Sequence, residues 1–268
     1  MTNQINSSFS KISHRQFHTA IIGAGIGGLI AALELANKGF KVVVLEKHSL
    51  VGGYLTSFKR KGFIFDAGAN FITGADNAYT PVGNMFKNYG IQAKYVKIEY
   101  ERFHFGNDEY KVIYNEMEFK NVLTNISAAD EYGISEFFRL CRKVYASHSR
   151  KGMQSERLRS LIETNYQNII DNLINNRCVK ALLSSEWSYA GLPPSKLSGI
   201  IMCMLMHEMM NFGVYQIFGG VQNLSNAIAK KIIEFGGEIY TGSSVEKIII
   251  NDKRIKGVLI DGKEIEAK

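Results

Sequence analysis

Proline and cysteine are both scarce in this chain, with three of each among 268 residues. Cys141, Cys178 and Cys203 stand alone and form no C-x-x-C pair. That excludes a disulfide framework, and the odd count points to a reducing, cytoplasmic compartment. No metal is expected, because His207-Glu208-Met209-Met210-Asn211 opens like a zinc-protease helix but lacks the second histidine. There is no Gly-x-Ser-x-Gly elbow, no convincing carboxylate pair and no Cys/His couple, so no catalytic residue is assigned. No apolar stretch reaches the ~20 residues of a membrane span. The residues before His18 are polar, rich in Ser and Asn, and lack an apolar signal core. Lysine plus arginine number 32 against 25 acidic residues, a net charge of +7. The basic residues are scattered, as in Lys59-Arg60-Lys61 and Lys230-Lys231, without a basic helix interleaved with aromatics. Nucleic acid is therefore not expected as a partner. Attraction to an anionic membrane surface stays open.

Apolar residues are plentiful, at 46%, enough for one or two buried cores. Glycine is plentiful too, and its placement carries the most information. A strand is expected at His18 to Ile22, followed by Gly23-Ala24-Gly25-Ile26-Gly27-Gly28, an apolar helix, and a second strand from Lys41 to Leu45 that ends on Glu46. This is the βαβ dinucleotide-binding pattern. Gly23 permits the tight turn, Gly25 lets backbone approach a pyrophosphate, and Gly28 lets the helix pack closely on the sheet. The helix N-terminus offers unpaired N–H groups and its positive dipole end to phosphate. Glu46 stands where a carboxylate accepts hydrogen bonds from an adenosine ribose, and it would repel a 2′-phosphate. A functionless glycine turn is the alternative; it leaves the strand, the helix and the acidic residue unexplained.

After Glu46 come Lys47-His48-Ser49-Leu50-Val51-Gly52-Gly53-Tyr54, Thr56-Ser57-Phe58 and Gly62-Phe63-Ile64-Phe65-Asp66-Ala67-Gly68-Ala69-Asn70. Here the chain resembles the flavin-dependent amine oxidase and phytoene desaturase superfamily, in which a Gly-Gly doublet follows the glutamate and a short hairpin ends in F-D-x-G. The resemblance implies FAD as cofactor. The binding residues it implies are Gly23, Gly25, Ile26, Gly27 and Gly28 in the loop, and Glu46 and Lys47 after the second strand. Gly52, Gly53, Tyr54, Thr56 and Ser57 follow at the doublet, and Gly68, Ala69 and Asn70 after the hairpin. Tyr54 stands where relatives usually carry a basic residue, and Asn70 where they often carry proline. Asp66 lies near the flavin in relatives, but a turn-capping role before Ala67-Gly68 is the better reading.

Further along, Gly219-Gly220 precedes an amphipathic helix from Val221 to Phe235, with Leu224, Ile228, Ile232 and Phe235 on one side, closed by Gly236-Gly237. Strands are expected at Glu238 to Tyr240, Val245 to Ile250 and Ile255 to Ile260, with turns at Asn251-Asp252 and Asp261-Gly262. This resembles the family's return into the flavin domain, which implies that Val245 holds the adenine through its backbone. As residues alone, Val245 reads equally as a core valine. Between the two parts lie a helix at Pro81 to Tyr89 and strands at Tyr95 to Ile98, Phe103 to Phe105 and Tyr110 to Tyr114. Helices follow at Ile134 to Arg150, Ser155 to Leu173 and Asn176 to Ser185.

The expected fold class is therefore α/β. A Rossmann-like FAD-binding domain, with a βαβ unit, parallel sheet and β-meander, occupies residues 15–73 and 215–268. A partial α+β substrate domain is inserted at residues 74–214. Within it, Trp187-Ser188-Tyr189-Ala190-Gly191-Leu192-Pro193-Pro194-Ser195 and the apolar run from Leu197 to Phe212 resemble the carotenoid isomerase, retinol saturase and bacterial phytoene desaturase branch. Met202, Met204, Met206, Met209 and Met210 suit either a buried core helix, the better reading, or an adaptable apolar tunnel. A membrane-facing helix is a third reading.

The resemblance runs from His18 to Lys268 and covers about the N-terminal half of the family pattern. It implies an oxidoreductase acting on carbon–carbon bonds of an apolar polyene or isoprenoid, by desaturation, isomerisation or saturation, with hydride transfer at flavin N5. Two alternatives are weighed beside it. One is a truncated or split-gene FAD-binding fragment that needs a second chain to supply the other half. The other is a flavin amine oxidase. An NAD-only dehydrogenase leaves the Gly52-Gly53 hairpin without a task.

Overall fold

A computed structural model describes residues 16–149 and 164–267. They form two compact units. The first comprises the chain up to Ile72, Asn84–Val96 and everything from Gln216 onward; the second comprises Thr73–Gly83 and Lys97–Tyr215.

In the first unit, Thr19–Ile22 and Val42–Leu45 pair in parallel, joined by the helix Ile26–Asn37. Glu238–Tyr240 adds on the other side of Val42–Leu45, also in parallel. The central strand is the unbroken run Val42-Val43-Val44-Leu45, and all four residues are buried. A strand covered on both faces needs such a run rather than an alternation. A second sheet has the order Gln16–Phe17, Lys263–Ala267, Arg254–Ile260, Lys247–Asn251. Its last three strands form an antiparallel meander, and Gln16–Phe17 joins in parallel. Phe17, Val258, Ile260 and Ile265 of this sheet pack with Val43, Leu45 and Tyr240 of the parallel one in a single core. Val245 packs against that core from outside any strand, because the strand begins only at Lys247.

The segment Asn84–Val96, which the sequence pattern assigns to the insertion, groups with this first unit. Its reasons are specific: the Tyr89 hydroxyl donates to Glu34 of the first helix, and the Tyr89 ring meets Phe235 edge-on.

The second unit is mostly helical. Glu131–Ser149 and Gly199–Phe212 form its centre, with Glu116–Ile126, Tyr166–Leu173 and Arg177–Leu183 around them. A hairpin of Tyr100–Phe105 and Asp108–Ile113 accompanies them. Asparagine caps set three helix starts: Asn115, Asn165 and Asn176 each accept a backbone N–H of the first turn. The Asn165 cap sets a helix start at Tyr166, inside the helix expected from Ser155 to Leu173; the part of that span before Thr164 lies outside the described residues. The helix Glu116–Ile126 is absent from the sequence expectations, since its polar stretch Glu116-Met117-Glu118 carries little apolar periodicity.

Four of the five methionines lie in the core, and Met204 is half-buried. Met202, Met206, Met209 and Met210 of Gly199–Phe212 are buried. No helix among the described residues is long and apolar enough to cross a membrane.

Candidate functional site

The glycine loop of the first unit is built by backbone contact. Gly23 leaves its strand with a φ of 96°, a left-handed conformation that suits glycine. A Cβ on Gly28 would lie 2.1 Å from the Gly23 carbonyl oxygen and 3.3 Å from Ile21 Cγ2, so the helix can press against the turn only because Gly28 has no side chain. Gly25, by contrast, faces open space, with nothing within 4 Å of where its Cβ would be. It is the N-cap of Ile26–Asn37, and no side chain caps the helix. No acidic residue sits in its first turn either. Exposed Ile26 and Gly27 start that turn. The result is an open cradle at a positive helix end, the geometry that receives a phosphate anion.

Glu46 locks this loop to the second strand. Its Oε2 accepts the Ala24 N–H at 2.6 Å and its Oε1 accepts the His48 N–H at 2.9 Å. The residue is only 6% exposed, so these charge-assisted bonds compensate the burial of a carboxylate. Each oxygen keeps acceptor capacity beyond one bond. The segment after Tyr240 runs alongside: Ser243 N–H donates to the Glu46 carbonyl and Gly242 N–H to that of His48.

The doublet joins the loop directly. Gly52 N–H donates to the Ala24 carbonyl at 2.7 Å, and a Cβ on Gly53 would sit 3.1 Å from Gly25 Cα. Thr56 Oγ1 donates to the Gly53 carbonyl. Gly68 lies so close to Tyr54 that a Cβ would meet its carbonyl oxygen at 2.7 Å. Thus Gly23, Gly25, Ile26, Gly27, Gly28, Glu46, Gly52 and Gly53 meet in one place, with Thr56 and Gly68 attached through the doublet. Lys47, Tyr54, Ala69 and Asn70 are exposed on the surface around it. Val245 lies two residues past the stretch that bonds to Glu46.

Ser57 and Asp66 act together at a distant helix start. Ser57 Oγ donates to Asp66 Oδ1 at 2.6 Å. Asp66 Oδ1 also accepts the Val221 N–H, and Ser57 Oγ accepts the Gln222 N–H. The pair caps the start of the helix Gln222–Glu234, satisfying amides that would otherwise be orphaned. Asp66 is a cap, as expected, but of a distant helix rather than of its own turn. That helix in turn supports the doublet: buried Ser225 Oγ donates to the Leu55 carbonyl, and Gln222 Nε2 donates to that of Val51. Ser225 was missed. Its signal was a small polar residue on an otherwise apolar helical face with Ile228 and Ile232.

The second unit buries one notable acid. Glu186 is 1% exposed, and its Oε1 accepts a bond from Ser185 Oγ at 3.2 Å, while Oε2 lacks a well-formed bond. Burial, and then the nearby Glu101 carboxylate, push its pKa up to about 7, against the smaller pull of the Ser185 and Tyr114 hydroxyls. The sign follows by linkage. Below the ordinary value of 4.5 the group is protonated in both folded and unfolded chains. Between that value and about 7 the folded chain holds the proton and the unfolded chain does not, so stability falls as pH rises through this window. The offset is worth on the order of 3 kcal/mol at most. Glu186→Gln is expected to raise the unfolding temperature at about pH 8 and to leave it unchanged near pH 4. Thermal unfolding followed through the neighbouring Trp187 reads this directly. An identical pH dependence in both proteins would refute the assignment.

The family model for flavin containing amine oxidoreductases matches residues 26–268. A 4,4′-diapophytoene desaturase (4,4′-diaponeurosporene-forming) of Staphylococcus aureus is 26% identical over 263 residues, covering 91% of this chain and 52% of that protein. The chain therefore spans about half the length of the curated relatives it matches. Among solved structures, an oxidoreductase from Methanosarcina mazei superposes with a TM-score of 0.72 at 21% identity, over 94% of this chain and 57% of that one. Wild-type putrescine oxidase bound to putrescine gives 0.61 at 18% identity, over 94% and 57%. These likenesses bear on the fold: a Rossmann-like α/β unit with a parallel sheet, as the glycine loop requires.

Proposed function

The chain belongs to the flavin containing amine oxidoreductases, and from that premise we propose that it holds FAD for an oxidoreductase acting on carbon–carbon bonds of an apolar polyene or isoprenoid. FAD is the cofactor that fits the cradle. The observation that carries this is the pair of unlike glycines: Gly28 is closed by the protein itself, whereas Gly25 faces open space at an uncapped helix end.

The chain's own residues bind and orient. The N–H groups at the start of Ile26–Asn37 would receive the pyrophosphate. Glu46, already held by the Ala24 and His48 amides, would accept the adenosine ribose hydroxyls with its remaining lone pairs. Gly52 and Gly53 would let the backbone run close along the cofactor beside Gly25. Val245 would stand at the adenine end. When bound, the flavin supplies hydride acceptance or donation, chemistry that needs position and a dry cavity more than a strong acid or base from the protein.

The substrate class rests on the desaturase relative and on the Gly191-Leu192-Pro193-Pro194-Ser195 run. Desaturation, isomerisation and saturation share this scaffold. A reducing compartment fits three cysteines that form no disulfide. The test is the absorption spectrum of the purified chain with added FAD. Bound flavin is expected to give a structured band near ~450 nm that survives desalting; a band that washes away completely would overturn the assignment.

A further inference from the structure

In the first unit, the hairpin of Ser57–Arg60 and Phe63–Asp66 has two unlike faces. Its register pairs Ser57 with Asp66, Phe58 with Phe65, Lys59 with Ile64 and Arg60 with Phe63. Side chains alternate along a strand, so Ser57, Lys59, Ile64 and Asp66 share one face, and Phe58, Arg60, Phe63 and Phe65 the other. The first face is anchored. Ser57 and Asp66 cap the helix Gln222–Glu234, and a Cβ on Gly220 would lie 3.0 Å from Ile64 Cγ2. The second face turns away from that anchor. Phe58 and Phe65 stack on it with ring centroids 5.4 Å apart. Phe65 is still 46% exposed and Phe58 51%, and Phe63, beside the turn, reaches 69%. Exposure thus rises toward the tip. Three phenylalanines gathered on one outward face form an apolar patch, where singly scattered ones would need no explanation.

The tip adds charge. Lys61 and Gly62 close the hairpin with φ of 50° and 85°, the left-handed pair of a two-residue type I′ turn. Asparagine or glycine adopts the first of these positions more readily than lysine does. Lys59, Arg60 and Lys61 are all exposed, so three consecutive cations surround the apolar tip. Asp66, the one acid of the hairpin, sits at its root and is bonded to the Ser57 hydroxyl and the Val221 N–H.

We propose that the tip of this hairpin docks on an anionic lipid surface, with Phe58, Phe63 and Phe65 entering the boundary between headgroups and acyl chains and Lys59, Arg60 and Lys61 meeting lipid phosphates. The inference rests on the hairpin, and not on the cofactor or the substrate. Charge complementarity selects the occupant. A bilayer offers phosphates to the cations and, just beneath them, hydrocarbon to the rings. The long stems of lysine and arginine let their charged ends stay at headgroup level while the aromatic face sinks. The net charge of +7 draws the whole chain toward such a surface. A second copy of this chain is the weaker occupant. Across a two-fold axis it would bring a second set of three cations into the same contact, while Asp66 of each copy is already engaged at its own helix start.

The probes are vesicles of phosphatidylcholine alone and vesicles of phosphatidylcholine and phosphatidylserine in equal parts, mixed with the full chain and read by cosedimentation. Binding to the mixed vesicles is expected to be at least about tenfold tighter than to the neutral ones, and to weaken as salt is raised. Each lysine or arginine held at an anionic surface strengthens binding about fivefold, so Lys59→Gln/Lys61→Asn should weaken it about twentyfold. Asparagine suits the left-handed turn position, so this pair keeps the hairpin. Phe63→Thr, which keeps strand preference, should weaken binding about tenfold through lost apolar burial. Phe63→Trp places a reporter at the tip: on mixed vesicles brominated acyl chains should quench it, while Trp187 of the unsubstituted chain keeps its emission. Equal affinity for neutral and mixed vesicles, binding to neither, or binding indifferent to both the charge and the Phe63→Thr variants would overturn the proposal. Quenching of Trp187 in the unsubstituted chain would place the contact on the second unit and overturn it too. So would sedimentation showing a dimer of the chain alone that Phe63→Thr dissociates, which would make a second copy the occupant.

Discussion

Glu46→Arg is expected to abolish adenine-nucleotide binding, lowering FAD affinity at least about a hundredfold, which is roughly 3 kcal/mol. The carboxylate is 6% exposed and accepts the Ala24 N–H at 2.6 Å and the His48 N–H at 2.9 Å. Arginine has no acceptor to replace it, so both amides lose their partner, at a cost of about 1–3 kcal/mol for each that stays buried. It also places a cation where a ribose hydroxyl needs an acceptor. Because this loosens the loop, the unfolding temperature should fall as well. Glu46→Gln separates the two effects. Its carbonyl can keep one of the bonds, so the fold should survive while FAD binding weakens by a smaller factor. Fluorescence titration with FAD below the unfolding temperature of each variant gives the answer. Affinity unchanged in both would sink the assignment of Glu46.

The glycine loop offers a contrast of comparable size. Gly28→Ala puts a Cβ 2.1 Å from a backbone oxygen that belongs to the turn itself. Backbone cannot step aside as a flexible side chain can, so the helix must lift off the sheet, with a loss of about 3 kcal/mol or more. Gly25→Ala should do the reverse. Gly25 has φ −66° and ψ 170°, which alanine adopts without strain, and open space awaits its Cβ. Stability should hold within about 0.5 kcal/mol, while the methyl group occupies the approach to the uncapped amides and FAD binding falls. Urea unfolding and FAD titration on the two variants give a crossed pattern. Loss of FAD binding in neither, or equal destabilisation in both, would mean that the cradle has been misread.

The role of Gly28 is legible in sequence, because the G-x-G-x-x-G spacing describes a turn whose parts lie within one βαβ unit. That Gly28 is closed by Gly23 while Gly25 stays open is decided by how the turn folds back on the helix. Glu46 was legible as an acidic residue at a strand end. Its grip on Ala24 was not, because a carboxylate at that position can turn toward solvent or toward the loop.

By itself, the sequence determined whatever is local in the chain. The parallel strand Val42–Leu45 shows as an unbroken apolar run, the helix Pro81–Tyr89 starts on its proline, and Gln222–Glu234 shows its apolar stripe. Only the tertiary structure decided what depends on chain closure. Ser57 and Asp66 cap a helix whose first residues lie far along the chain. Ser225 holds the carbonyl of Leu55 under the glycine doublet. Glu186 is a polar residue in sequence and a buried acid in space, and Asn84–Val96 packs with the first unit rather than with the insertion around it. The physical reason is common to all of these. Periodicity, caps and turns act over a few residues, whereas the partner of a buried hydrogen-bonding group is set by which distant segments the core brings together.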